Sequence, residues 1–257
     1  MTIYHQGTAR AVRKLPMSKA EREARIQLAA CYRIFNHLGW VEMIFNHITL
    51  RVPGPEKLFL INPFGLHYSE ITASSLILID LEGNPQRETR WPVNRAGFVI
   101  HSTLHGAIAE VNCVMHTHTT TGMAVACLKE GLSPTNFYAA QLQGGVAYHD
   151  FEGITVEDDE RRRLVASVGS KRALILRNHG LLAWGASLPE AFLTLWTLQR
   201  ACDVQIASSS AGDLNPIRPE VFAQTVRESG PGEKRTCEDV FAAMQRIVDA
   251  KDPSYRV

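Results

Sequence analysis

The stretch RALILRNHGLLAWG, residues 172–185, constrains this chain more than any other. Two very apolar runs meet at Asn178-His179-Gly180, a tight turn that makes them the paired strands of a hairpin. The rest of the 257 residues has to be organised around that pair. NHITLRV (46–52) and KLFLINP (57–63) flank Pro53-Gly54-Pro55 and read as two more strands around a turn. ITASSLILIDLEGN (71–84) reads as a turn then a strand, and VNCVMHTHT (111–119) as a short strand. Helical runs alternate irregularly with these. Ser18-Lys19-Ala20-Glu21 is a capping box opening a long helix that Gly39 stops. In AGFVIHSTLHGAIAEV (96–111), Phe98, Ile100, Leu104 and Ile108 recur at helical spacing. A small-residue run from Thr120 to about Glu130 reads as a further helix with Gly131 as its stop. EDDERRRLVASVG (157–169) has acids first and glycine last, which suits a helix macrodipole. Ser187-Leu188-Pro189-Glu190 is a second capping box, opening a helix to about Ser208. Two shorter helical patterns lie near 218–228 and 236–250. The fold class is therefore α/β (α+β) with a mixed or mainly antiparallel sheet and no clean βαβ run. We expect an N-terminal extension (1–20), one domain (21–209) and a C-terminal extension (210–257) that packs on that same domain.

Charge narrows the function. Lys and Arg number 27 against 26 Asp and Glu, a net charge of +1. No basic field is available for nucleic acid or an anionic membrane, which leaves small-molecule chemistry or protein association. Cys31, Cys113, Cys127, Cys202 and Cys237 are odd in number and form no C-x-x-C pair, so they are expected reduced. No apolar leader core and no run of about 18 apolar residues is present, and the expected location is cytoplasmic. The G-x-S-x-G, G-x-x-x-x-G-K-[ST] and G-x-G-x-x-G motifs are absent, which removes the main support for serine-hydrolase, P-loop and dinucleotide chemistry.

Histidine carries the remaining signal. His116 and His118 are two apart on a strand, so both side chains leave the same face and can meet one ion. An H-x-H pair alone equally fits the polar face of a half-exposed strand. His179 shifts that balance, because Asn or Asp would serve the turn better. Three imidazoles make a catalytic-type metal site with an open position. His101 and His105, spaced i, i+4, have a supporting role at most, and Tyr148-His149-Asp150 fits either a proton relay or a packed strand end.

H-T-H at 116–118 followed by N-H-G at 178–180 resembles the class II aldolase/adducin family. So do NHITLRV (46–52), FLINPFGLHYSEITASSL (59–76), NRAGFVIHSTLH (94–105), GGVAYHDFEGI (144–154) and LILRNHGLLAWG (174–185), and the adducin-type branch is the most similar. The resemblance extends to EDVFAAMQRIVDA and PSYRV at the end of the chain. It implies a three-layer αβα sandwich around a mainly antiparallel sheet, a homotetramer with active sites where subunits meet, and the metal ligands His116, His118 and His179. Zinc is the expected metal, and manganese or iron would also accept three imidazoles. The implied activity is a carbon–carbon lyase of aldolase or decarboxylase type, working through a metal-stabilised enediolate. Tyr138, in NFYAAQ, falls near the place of the family's proton-donating tyrosine.

Two departures qualify that picture. Lyases of the family carry a catalytic Glu, or in epimerases an Asp, four residues before the histidine matching His101, and here that position is Gly97. The base would then come from His149, His105 or Tyr138. Phe64, in INPFGL, stands where a small hydroxyl residue would help hold a substrate phosphate, so the expected substrate is a non-phosphorylated hydroxy- or oxo-acid or carbonyl compound. The alternative is a non-catalytic adducin-like metal-binding association module, against which stands the lack of a basic tail.

Overall fold

The computed structural model describes residues 16–142, 144–153, 158–228 and 233–257. Most of the expected N-terminal extension (1–20) lies outside them. Helix α1 spans Lys19–Leu38, and the Ser18 hydroxyl accepts from the Glu21 N–H at 3.1 Å, satisfying one of the helix's unpaired donors. The reciprocal half of the expected capping box is not made. Glu21 instead turns its carboxylate to Arg25 and Arg87, while Arg25 also donates to the Ala73 and Leu76 carbonyls. A buried ion pair persists only with its remaining donors satisfied in this way. Gly39 ends the helix at φ +74°, a left-handed cap that glycine adopts without steric cost.

Strands β1 (Ile48–Arg51), β2 (Phe59–Ile61) and β3 (Ile77–Ile79) follow, then α2 (Arg95–Ala107) and β4 (Cys113–Thr117). Helices α3 (Thr120–Ala126) and α4 (Phe137–Leu142) lead to β5 (Val146–His149), α5 (Asp158–Val168), β6 (Ala173–Leu176) and β7 (Gly180–Gly185). Helices α6 (Leu188–Ser209), α7 (Pro219–Glu228) and α8 (Lys234–Lys251) complete the chain. The seven strands lie in the order β3-β2-β1-β4-β7-β6-β5, antiparallel except for β5 beside β6. That one parallel pair, joined by α5, is a βαβ unit which the sequence pattern was not expected to contain. β5 has only four residues and half-buried alternate positions, too short a period to announce a strand. The expected small-residue helix stops at Ala126, and α4 was not anticipated.

Two layers of helices cover the sheet. Ile48, Leu50, Met115, Leu181 and Ala183 pack with α1, α6 and α8 on one face. On the other, Val114, Leu174 and Leu182 pack with Leu104 of α2 and Leu164 and Val168 of α5. Phe59, Ile61, Ile77 and Ile79 close on Phe98 of α2 at the sheet's end. The result is a three-layer αβα arrangement, with the C-terminal Phe241, Val248 and Tyr255 inside the first core. No disulfide joins the cysteines; four are buried and Cys127 is exposed. Among the described residues no helix is long and apolar enough to cross a membrane.

Candidate metal centre

β4 and the β6–β7 turn build the site between them. His116 lies opposite Leu182 in the ladder, and the strand delivers it to the α2/α5 face. His118 follows just past the strand's end. The turn places Asn178 at φ +57° and pins it by its N–H to the Ala126 carbonyl, which presents His179 to the other two. Gly180 leaves the space they need: a Cβ there would meet the Thr117 carbonyl oxygen at 2.4 Å and the ring carbons of His118 and His116 at 3.0 and 3.2 Å. The three ligand nitrogens lie within 4.8 Å of one another, and those of His116 and His118 are 2.7 Å apart. Bonds of about 2.0–2.1 Å to a tetrahedral zinc would set nitrogens roughly 3.3 Å apart, a spacing these distances bracket.

The chemistry of the donors fits a cation as well as the spacing does. A carbonyl oxygen can only accept, so the 2.8 Å contact from His116 Nδ1 to the Leu181 oxygen places the proton on Nδ1 and leaves Nε2 bare for a metal. Burial, with His118, His179 and His47 close by, holds His116 well below its ordinary pKa. Burial and the neighbouring His118 lower His179 to about 4, and burial lowers His118. All three are neutral at pH 7, the form that binds metal.

The other expected residues stand elsewhere. His105 is buried with both nitrogens engaged, Nδ1 on the Val111 carbonyl at 3.1 Å and Nε2 on the Thr49 hydroxyl at 2.8 Å. It has no atom left with which to act as a base. His149 turns to α5, where Nδ1 meets the Ser167 hydroxyl at 3.0 Å and Nε2 lies 3.8 and 3.9 Å from Glu152 and Glu160. Tyr138 packs against Trp196 and under the Arg200 guanidinium, on the α6 side of the sheet. Within one chain none of the three is brought to the triad. Sequence reasoning did not single out His47 and Thr49 of the first hairpin. Ile48 pairs with Met115, so His47 falls opposite His116 on the same face, and its ring lies 4.1 Å from that of His101. Only the strand register, which no local pattern reveals, joins NHIT to H-T-H.

Residues 26–206 match the model of the class II aldolase and adducin N-terminal domain. The chain belongs to that family. A Caulobacter vibrioides protein, whose name places it provisionally among class 2 aldolases, is 44% identical over 241 residues, covering 93% of this chain and 94% of its own. Rat alpha-adducin is 40% identical over 247 residues, 90% of this chain but 34% of the adducin. The solved L-fuculose 1-phosphate aldolase from Glaciozyma antarctica superposes with a TM-score of 0.80 at 30% identity, covering 95% of this chain and 97% of that one. This chain is thus similar both to a solved aldolase and to part of a much longer adducin.

Proposed function

We propose that this class II aldolase/adducin family member is a divalent-metal-dependent carbon–carbon lyase acting on a small, non-phosphorylated hydroxy- or oxo-acid or carbonyl compound. The observation that carries the reading is the triad itself: three neutral imidazoles, one with its tautomer fixed by Leu181, converging around space that Gly180 keeps open. His116, His118 and His179 would hold the cation, with zinc the first expectation and manganese or iron compatible with the same donors. Such an ion supplies Lewis acidity that offsets the charge developing on oxygen as the carbon–carbon bond breaks. The chain's own part is to keep the three rings neutral and oriented. Phe64 supports a substrate without phosphate, because its ring packs 6.3 Å from that of Phe45 and its N–H is bonded to the Pro92 carbonyl. We also propose a homotetramer, in which a neighbouring copy would bring Tyr138 to the site; Phe137 beside it is 64% exposed.

Metal content of the tag-free protein, read by inductively coupled plasma mass spectrometry, tests the reading. Near-stoichiometric zinc, manganese or iron is expected, lost when His116, His118 and His179 are all replaced by Ala, together with cleavage of a compound from a panel of hydroxy- and oxo-acids. A folded protein that takes up no metal after incubation with zinc or manganese sinks the lyase and leaves the adducin-like association module standing.

A further inference from the structure

Beside the triad, four groups fix one another's protons. The Val111 carbonyl accepts from His105 Nδ1, so that nitrogen carries the proton. Burial keeps His105 neutral, with its pKa pushed down to about 3, so its Nε2 is bare and takes the hydrogen of the Thr49 hydroxyl at 2.8 Å. That hydroxyl has then spent its only hydrogen. Its 2.8 Å contact with His101 Nδ1 is one in which His101 donates. Burial keeps His101 neutral as well, which leaves Nε2 as a bare lone pair. That atom is buried, in a side chain 1% exposed, and has no hydrogen-bond partner. A buried polar atom left so calls for a partner from outside the chain, a water, an ion or a bound compound. His101 lies against His47, the residue opposite His116 in the sheet register, and His116 is among the groups that act on it electrostatically, so the ring sits on the triad's side of α2.

We propose that His101 contacts the substrate: its Nε2 accepts a hydrogen bond from a hydroxyl of the compound held at the triad, with Thr49 and His105 as positioning residues that keep the ring in its accepting tautomer. The inference rests on the lyase reading and narrows it. A bare nitrogen attracts a hydroxyl and repels the lone pairs of a keto or ether oxygen, so the site selects a hydroxy compound over its oxo counterpart.

Lactate and pyruvate, which differ in that one group, are the probes. Zinc-loaded protein labelled with nitrogen-15 at histidine is titrated with each. The expected result is a bare His101 Nε2 whose resonance moves with lactate and stays still with pyruvate, and tighter binding of lactate. Thr49→Val keeps the side-chain shape but frees the ring to change tautomer, and should cut the preference for lactate about fivefold, the value of one neutral hydrogen bond. His101→Ala should abolish it. A protonated Nε2 in the unsubstituted protein, or equal binding of both acids without movement of the resonance, overturns the proposal whether or not the variants fold. Were no zinc taken up, the lyase reading would fall by itself, and the two titrations of the metal-free protein would still read whether Nε2 is bare and whether lactate alone reaches it.

Discussion

Gly180 shows how little slack the triad has. Any side chain there drives a carbon to 2.4 Å from the Thr117 carbonyl oxygen, and because that neighbour is backbone the β4–β7 pair itself has to separate. Gly180→Ala should therefore weaken zinc binding by about tenfold or more, the usual effect of displacing the support of metal-ligating histidines. Competition with a chromophoric chelator measures it, and an unchanged affinity would show that the strands separate without moving the three histidines apart. At this scale the sequence was informative where chemistry is written in spacing. H-T-H on a strand and N-H-G in a turn were enough to pick out the three histidines that the fold brings together, because period two sets side-chain direction on a strand. His47 and Thr49 were opaque for the opposite reason: their partners lie 52 to 69 positions away, and only register brings them together.

Two buried imidazoles of helix α2, His101 and His105, bond to Thr49 of β1, and this makes the attachment of α2 sensitive to acid. In the unfolded chain His105 takes up a proton near 6.5; folded, it does so only near 3. Between those values acid places the proton on the unfolded chain alone, so stability is fully present above pH 6.5 and falls as pH drops toward 3. His101 is lowered in the same direction by burial and by its histidine neighbours. The midpoint of urea unfolding of metal-free protein should hold steady from pH 8 to 6.5 and then decline. His105 alone would remove about 2 kcal/mol by pH 5. A flat profile to pH 5 would mean that α2 admits water around these rings. Elements long enough to show a period or a cap, such as α1, α6 and the β6–β7 hairpin, could be read directly. β5 and α4, four and six residues long, could not, since their strand and helix are decided by what they pack against.

The sheet order belongs to the whole molecule, and nothing local determines that β1, paired with β2 on one side, should take β4 on the other. The C-terminus is fixed at the same scale. The Ala73 N–H donates to the Tyr255 carbonyl at 2.7 Å and the Ser74 N–H to that of Val257 at 2.8 Å, while the Tyr255 ring is fully buried in the core shared by α1 and α8. Its hydroxyl donates to Asp249, whose carboxylate also receives Arg256. The last residues thus close the loop whose carbonyls at Ala73 and Leu76 receive Arg25. Deleting residues 253–257 removes a large buried aromatic and leaves two N–H groups and the Asp249 carboxylate short of partners, so the loss should be at least the 3 to 5 kcal/mol or so typical of a buried aromatic truncated to Ala. Tyr255→Phe keeps the ring and loses the hydroxyl's two bonds, the one donated to Asp249 and the one accepted from Gln245, and about 1.5 to 3 kcal/mol is expected. Both are read by urea unfolding. The triad lies on the opposite face of the sheet from this corner, so zinc bound per folded molecule should stay the same in both variants. A truncated chain as stable as the full one would place the last residues outside the cooperative fold; a stable truncated chain that lost zinc would instead tie this corner to the metal centre through the sheet.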